Sequence, residues 1–294
     1  MSNYKTGRVI RNRPFSFFWI ILLLVAGGIA YGAATLWENG MANPEPQTSS
    51  SSMTEPATSS SEPEDSSSEP QPSQSSESQS ESETKPAAVF GEAVPKGDWA
   101  PASYFDDALL VGDSITYGVQ VYNTMSNVTV IAHTGINPET ILSKEVIRTP
   151  EGTVTVLEAM KQHKPGKIYI MMGANGVAFI GKDKMMGYYG EFIDKVKAQH
   201  PESIVYVQSI LPVTAEKSKD ERYSNERITE YNLALMALAK EKQVYYLNVA
   251  EAFQDETGAL PTEASPKDGM HFGPEYYMKW FDYLKTHTVE GGTK

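Results

Sequence analysis

Ser114 follows the end of a predicted strand, which is the position of many reactive groups in parallel sheets. An apolar run, Ala108 to Val111, predicts a short buried strand, and Ser114 follows the stop at Gly112, at the turn into a predicted helix. Open α/β sheets bind ligands at the carboxyl ends of their strands, where this hydroxyl lies. Its own backbone N–H lies in the first helical turn and has no intrahelical acceptor. Ser114 thus offers a nucleophile and an anion-stabilising donor, although Gly-Asp-Ser alone is equally typical of an ordinary turn.

A serine nucleophile needs a general base and a group that orients the base. Among the histidines, His271 lies in a turn-rich loop before the last predicted helix, three residues after Asp268. This spacing lets Asp268 accept a hydrogen bond from Nδ1 while Nε2 stays free for a serine. An Asx turn beside an exposed histidine is the alternative interpretation.

Two further loops follow predicted strand ends. Gly135 comes after the second strand and Asn175 after the third. Because a parallel sheet gathers the carboxyl ends of its strands along one edge, we expect Ser114, Gly135 and Asn175 to share one rim. The backbone N–H groups of Ser114 and Gly135, together with the Asn175 amide, would supply three donors to a tetrahedral oxyanion.

Four short blocks occur in a characteristic order: Gly112-Asp113-Ser114, then Gly135, then Gly173-x-Asn175, then Asp268-x-x-His271. Together they resemble the SGNH (GDSL-type) hydrolase family over about residues 104–290. The resemblance implies serine esterase chemistry without a metal or organic cofactor. It implies Ser114 as nucleophile, His271 as base and Asp268 as its orienter, with oxyanion donors from Ser114, Gly135 and Asn175.

The third block departs from the pattern of many family members. There the block reads Gly-x-Asn-Asp, whereas here Gly176 replaces the final aspartate. Because that aspartate is not part of the catalytic triad, the expected activity survives the change. The rigidity of the loop is what the replacement puts in question. The second glycine of a Gly-x-Ser-x-Gly elbow is also absent, since Thr116 stands there, which argues against an ordinary α/β-hydrolase.

The elements that must position these residues alternate between strands and helices. Patterning predicts strands near 108–111, 128–132, 167–172, 204–210 and 244–249, and helices over 137–147, 152–163, 184–200, 225–242 and 274–287. Alternation of this kind favours a parallel sheet covered on both faces. We therefore predict an α/β fold, a three-layer α/β/α flavodoxin-like sandwich with a five-stranded parallel sheet.

The first hundred residues have a different composition. Residues 1–14 are basic, and residues 15–37 include roughly twenty uncharged positions, long enough for a transmembrane helix used as a signal anchor. Residues 38–98 are rich in Ser, Glu and Pro and predict a disordered linker, followed by a hydrolase domain over 99–294. The basic flank predicts a single-pass cell-membrane protein with its catalytic domain outside. A cleaved signal peptide, and hence secretion, is the alternative.

Charge and composition exclude several classes of binding partner and site. The formal net charge is −12 and no basic stripe is present, so nucleic acid is not an expected partner. The chain has no cysteine, which excludes disulfides, thiolate metal sites and a cysteine nucleophile. An esterase outside the membrane predicts an acylated glycan or other small ester as substrate, with O-acetyl groups of cell-wall or surface glycans foremost. The alternatives are a lysophospholipase or short-chain lipase, or a non-catalytic glycan-binding or assembly protein that has kept the fold.

Overall fold

The computed structural model describes residues 87–289. Their main element is a five-stranded parallel sheet in the order β2-β1-β5-β6-β7, and a two-stranded antiparallel hairpin, β3–β4, stands apart from it. The strands are β1 Ala108–Gly112, β2 Thr129–Ala132, β3 Ile147–Thr149, β4 Gly152–Val154, β5 Lys167–Met171, β6 Ile204–Gln208 and β7 Tyr245–Leu247. The α-helices are α1 Ser114–Tyr122, α2 Val156–Met160, α3 Ala174–Val177, α4 Lys182–Gln199, α5 Asn225–Lys242 and α6 Pro274–Thr286.

The central strands are apolar on both sides because helices cover both faces of the sheet. In β1, Leu109 and Val111 join one core while Ala108 and Leu110 join the other. The first core receives side chains of α2, α4 and α5, and the second receives those of α1 and α6. This arrangement confirms the predicted three-layer sandwich with its five parallel strands.

The three long helices among the described residues begin and end within two residues of the predicted bounds. Ser224 caps α5 by accepting a hydrogen bond from the Arg227 N–H, and Pro274 occupies the first turn of α6. The aromatic side chains of α6 are part of the core, since Tyr277, Trp280 and Phe281 are buried.

The helix predicted over residues 137–147 is wrong. Asn137 caps the segment by accepting hydrogen bonds from the N–H groups of Glu139 and Thr140, but the chain makes only a series of turns before the Val146 N–H donates to the Val154 carbonyl. Ile147 then enters the hairpin. The helix predicted from Gly152 starts late because the hairpin takes its first residues. Residues Gly152–Val154 pair as a strand, and α2 begins only after Thr155, whose hydroxyl caps it.

The predicted linker ends earlier than residue 98. Val94 is buried, and its N–H donates to the Tyr246 carbonyl beside the edge strand β7. The Gly97 N–H donates to the Thr286 carbonyl at the end of α6. Residues 87–98 therefore pack against the domain that follows them, because a few apolar side chains and an unpaired strand edge outweigh a polar composition.

The membrane prediction concerns residues that the structure does not describe. The basic segment 1–14, the predicted transmembrane helix 15–37 and linker residues 38–86 lie outside the described range. Between residues 87 and 289, none of the helices combines the length and the apolar character needed to cross a bilayer.

A valine-to-aspartate pair tests whether residues 87–98 belong to the domain. Val94→Asp places a charge in a buried site without a partner, and we expect it to lower the free energy of unfolding by at least about 2 kcal/mol. Val89→Asp is the matched control, because Val89 is 51% exposed in the same segment. Denaturant unfolding measures both, and equal midpoints would contradict the packing.

Candidate active site

Ser114, His271 and Asp268 form a continuous hydrogen-bonded chain. The Ser114 Oγ lies 2.8 Å from His271 Nε2, and His271 Nδ1 lies 2.7 Å from Asp268 Oδ2. Ser114 is half-buried at the start of α1, while the other two side chains are about half exposed. These hydrogen bonds connect Ser114 with Asp268, 154 positions later in the sequence, as predicted. Their order is that of a nucleophile, a base and an orienter.

Asp268 is held in its ionised form by the loop that carries it. Partial burial acts to raise its pKa, but hydrogen bonds from the His271 N–H, the His271 ring and the Met270 N–H outweigh it and lower the pKa to about 2. The Ser265 hydroxyl donates to the same carboxylate at 3.1 Å. Asp268 therefore stays an acceptor at neutral pH and fixes the tautomer in which Nε2 of His271 can take a proton from Ser114.

A buried carboxylate positions the turn that carries Ser114. Asp113 is 1% exposed and caps α1, because its Oδ1 accepts from the Ile115 N–H at 3.0 Å. Its Oδ2 accepts from the Gly173 N–H at 3.2 Å, on the loop after β5. Burial raises its pKa to about 6, against the lowering effect of these two hydrogen bonds. The sequence indicates a helix cap here, but no local signal reveals the bond to Gly173.

Three donors remain without acceptors along this rim. Ser114 opens α1, so its N–H has no helical acceptor. Gly135 lies beyond β2 with a φ of +78°, a conformation that favours glycine, and its N–H has no acceptor among residues 87–289. The half-buried Asn175 amide, in α3, likewise has no partner in that range. Since Gly112 pairs with both Ala132 and Met171, all three donors follow the ends of adjacent strands.

The structure explains the glycine at position 176. A Cβ there would lie 3.0 Å from Met185 Sδ and 3.5 Å from Pro138 Cδ, so a carboxylate would enter an apolar contact. Two other residues fasten this loop. Arg227 Nε donates to the Val177 carbonyl at 2.8 Å, and the Tyr231 hydroxyl donates to the Ile180 carbonyl at 2.6 Å. The loop around Asn175 is therefore anchored without the usual aspartate.

Helix α6 fixes the loop of His271 against the helix of Ser114. The Tyr277 hydroxyl donates to the Ile115 carbonyl at 2.9 Å. It reaches that carbonyl because position 118 is glycine, where a Cβ would lie 1.8 Å from the same hydroxyl. The sequence predicts α6 but not this contact, which connects the two halves of the site.

A small apolar hollow lies on the β5 and β6 side of the rim. Its walls include Ala174, Leu211, Val213, Tyr223 and Met270. Ala174 precedes Asn175, and Met270 precedes His271, so the hollow adjoins the reactive groups. Its free volume is about 10 Å³, roughly the space of one water molecule. The sequence indicates none of this, because the wall residues come from four separate loops.

The arrangement can carry out acyl transfer through a serine. It provides a nucleophile, a base whose orienter is ionised, and free N–H donors for a developing oxyanion. Within the described part of the chain, no group of three or more acidic or histidine side chains is placed to hold a metal ion.

Comparison with known proteins gives a family match. The model of the GDSL-like lipase/acylhydrolase family matches residues 110–279. Among the curated proteins, no match to this sequence is found.

Solved structures similar to this chain include three bacterial proteins. One from Streptococcus pneumonia, named for platelet activating factor, has 23% identity and a TM-score of 0.48, and the match covers 63% of this chain and 89% of that one. A GDSL-like lipase from Bacteroides thetaiotaomicron has 18% identity and a TM-score of 0.45, over 64% and 87%. An acetylxylan esterase from Geobacillus stearothermophilus has 15% identity and a TM-score of 0.45, over 62% and 94%.

The raised pKa of Asp113 predicts a pH-dependent stability. The folded state holds this proton more tightly than the unfolded chain, so stability decreases as pH rises from about 4 through the folded pKa of about 6. Asp113→Asn does not titrate. We expect the unfolding free energy of the variant, relative to wild type, to rise by about 2 to 3 kcal/mol between pH 4 and pH 7.

Denaturant unfolding across this pH range measures the difference. Asp98→Asn, at an exposed position, controls for the loss of one negative charge. A difference between Asp113→Asn and wild type that stays constant with pH would contradict the assignment.

Proposed function

Because the chain belongs to the GDSL-like lipase/acylhydrolase family and is a carboxylic ester hydrolase, we propose that it removes O-acetyl groups from cell-wall or other surface glycans, with Ser114 as nucleophile. His271 is the base, Asp268 orients it, and Ser114, Gly135 and Asn175 supply the oxyanion donors. The observation that carries the acetyl specificity is the hollow of about 10 Å³ next to Asn175 and His271.

The reaction follows from the hydrogen-bonded chain. The Ser114 Oγ attacks the ester carbonyl carbon while its proton passes to His271 Nε2, 2.8 Å away. The carbonyl oxygen becomes an oxyanion among the three free donors. As the C–O bond to the alcohol breaks, His271 returns the proton to the leaving oxygen. Water, deprotonated by His271, then attacks the acyl-serine, which frees the acid and restores Ser114.

The hollow favours a short acyl group. A methyl group needs little more space than the hollow provides, whereas each further methylene would have to displace packed side chains such as Leu211 and Val213, both buried. This argues against a lysophospholipase or lipase with a long acyl pocket. Membership in the hydrolase family, together with the intact hydrogen-bonded chain, argues against a non-catalytic binding protein.

We further propose that the enzyme is anchored in the cell membrane by residues 15–37, with its catalytic domain outside. The basic residues of 1–14 would stay in the cytoplasm, and the acidic linker would hold the domain away from the membrane. Surface glycans would then be within its reach. Cleavage after the apolar segment would give a secreted form of the same enzyme.

An acyl-length series tests the acetyl specificity. We expect the wild type to hydrolyse aryl acetates with kcat/KM at least about tenfold above the butanoyl and octanoyl esters, because extra methylenes have no space. Ser114→Ala should abolish turnover of all of them. Met270→Ala enlarges the hollow and should raise the butanoyl-to-acetyl ratio, whereas Met278→Ala, at a position 46% exposed, should leave it unchanged. Octanoyl preference in the wild type would refute acetyl specificity and favour a lipid substrate.

The Asn175 amide is expected to act on the transition state alone. Asn175→Ala removes one oxyanion donor and should lower kcat for aryl acetates by about 10² to 10³, with little change in KM. The amide makes no hydrogen bond within residues 87–289, so the variant should unfold at the wild-type denaturant midpoint. A wild-type kcat would remove Asn175 from this role.

A further inference from the structure

A surface groove lies on the other side of Ser114 from the apolar hollow. We call it the hairpin groove: it is lined by Tyr117 and Gln120 of α1, by residues 130–133 at the end of β2, and by residues 146–148 of the hairpin β3–β4. Its volume is about 470 Å³, within the range of small-ligand sites. Tyr117 stands one helical turn after Ser114, and His133 stands two residues before Gly135. The groove therefore begins at the reactive rim.

We propose that the hairpin groove binds the alcohol part of the substrate, and that this part is an acidic saccharide bearing carboxylate or phosphate groups. The inference rests on the proposed function, because it assigns the group that Ser114 releases. An ester bound at Ser114 with its acyl group in the hollow directs its alcohol away from β5 and β6. The free side of Ser114 is then the side of β2, where the groove lies.

The lining suits a sugar ring. Tyr117 is 37% exposed and presents an aromatic ring at the rim, and such rings combine an apolar face with a polar end. Gln120 is exposed, and its amide has no hydrogen bond within residues 87–289. His133 donates from Nδ1 to the Thr134 carbonyl at 2.7 Å, so the neutral ring keeps Nε2 as an acceptor. The groove therefore offers one stacking surface together with an acceptor and donors for hydroxyl groups.

The charge in the groove comes from one arginine, which has no partner among the described residues. The described residues contain three arginines, and two of them are engaged: Arg222 pairs with Asp220, and Arg227 donates to Val177 and Tyr231. Arg148, on β3, makes no hydrogen bond or ion pair within residues 87–289. Its guanidinium forms a planar fork that matches a carboxylate or phosphate. In an acidic chain, a single unpaired cation inside a groove favours an anionic ligand at that position.

The hairpin itself supports a binding role. Strands β3 and β4 pair only with each other and add nothing to the five-stranded sheet. Their effect is to place Arg148 opposite α1 and so to close one wall of the groove. We infer that the hairpin determines which alcohols the enzyme accepts.

Steady-state kinetics of the purified full-length chain test the inference. The substrates are 4-nitrophenyl acetate, O-acetylated xylo-oligosaccharides as neutral sugars, and two acidic series, O-acetylated oligogalacturonides and O-acetylated sugar phosphates. Arg148→Gln should raise KM for an acidic series by about tenfold with kcat unchanged, since it removes a charged hydrogen bond. It should leave the neutral sugars and the aryl ester unaffected. The acidic series with the larger change identifies the anion as carboxylate or phosphate.

Three variants act as controls. Lys195→Gln, on the exposed surface of α4, removes the same charge and should leave every KM unchanged. Arg148→Lys keeps the charge without the fork and should recover part of the loss. Tyr117→Ala should raise KM for all the saccharides but not for 4-nitrophenyl acetate. An equal effect of Arg148→Gln on neutral and acidic sugars would overturn the inference and leave the proposed function intact.

A binding measurement separates the two proposals. If the wild type hydrolyses aryl acetate but none of the saccharides, the proposed function fails. Calorimetry with unacetylated oligogalacturonide and Ser114→Ala then tests the groove by itself. Binding to Ser114→Ala that disappears in Ser114→Ala/Arg148→Gln supports the assignment of the groove. Binding that persists unchanged in the double variant overturns this assignment for carboxylates, and so does an absence of binding to Ser114→Ala. The same titration with glucose 6-phosphate decides the case for phosphates.

Discussion

A carboxylate buried between two strand ends determines the geometry of the site. Asp113 is held by the peptide N–H groups of Ile115 and Gly173, one on each side. Ser114 follows Asp113 directly, and Asn175 lies two residues beyond Gly173. The separation between the Ser114 hydroxyl and the Asn175 amide is therefore set by one side chain, whose two oxygens accept from two loops. Ionisation in this buried site is unfavourable, which the raised pKa of Asp113 expresses, and the sheet and helix α1 together must supply the free energy that keeps it there.

The loop that carries His271 lies near the C-terminal end of the described residues, and separate contacts hold it in place. His271 is exposed, so packing of its ring does not hold it in place. The residues that follow do so: Phe272 is buried, Tyr277 donates to the Ile115 carbonyl, and Trp280 donates to Gln208. Helix α6 thus attaches the histidine loop both to α1 and to β6. The ionised Asp268 then needs only to orient a ring whose position is already set.

The sequence predicts the parts of this protein that depend on local pattern. Apolar runs locate all five sheet strands. The four short blocks select Ser114, Asp268 and His271, which the structure joins by hydrogen bonds, because each lies at a strand end or in a loop of fixed spacing. The errors have physical causes. Pairing between residues 147–149 and 152–154 replaces the end of one predicted helix and the start of the next. Residues 87–98 pack against the domain because the Val94 N–H finds an acceptor beside the edge strand β7. The Asp113–Gly173 bond, the hollow and the hairpin groove depend on tertiary contacts between distant segments, which periodicity does not encode.

The two sides of Ser114 differ in a way that gives the proposals a common physical basis. Toward β5 and β6 lies an apolar hollow of about 10 Å³; toward β2, the sheet ends and a separate hairpin leaves a groove of about 470 Å³. A small apolar hollow discriminates by size, since every added methylene must displace packed atoms. A large groove with polar walls discriminates by polar and charged contacts, which tolerate variation in shape. The two proposals therefore describe one enzyme, which we propose to be strict toward the acyl group and selective by charge toward the alcohol, as the removal of one small substituent from an acidic polymer would require.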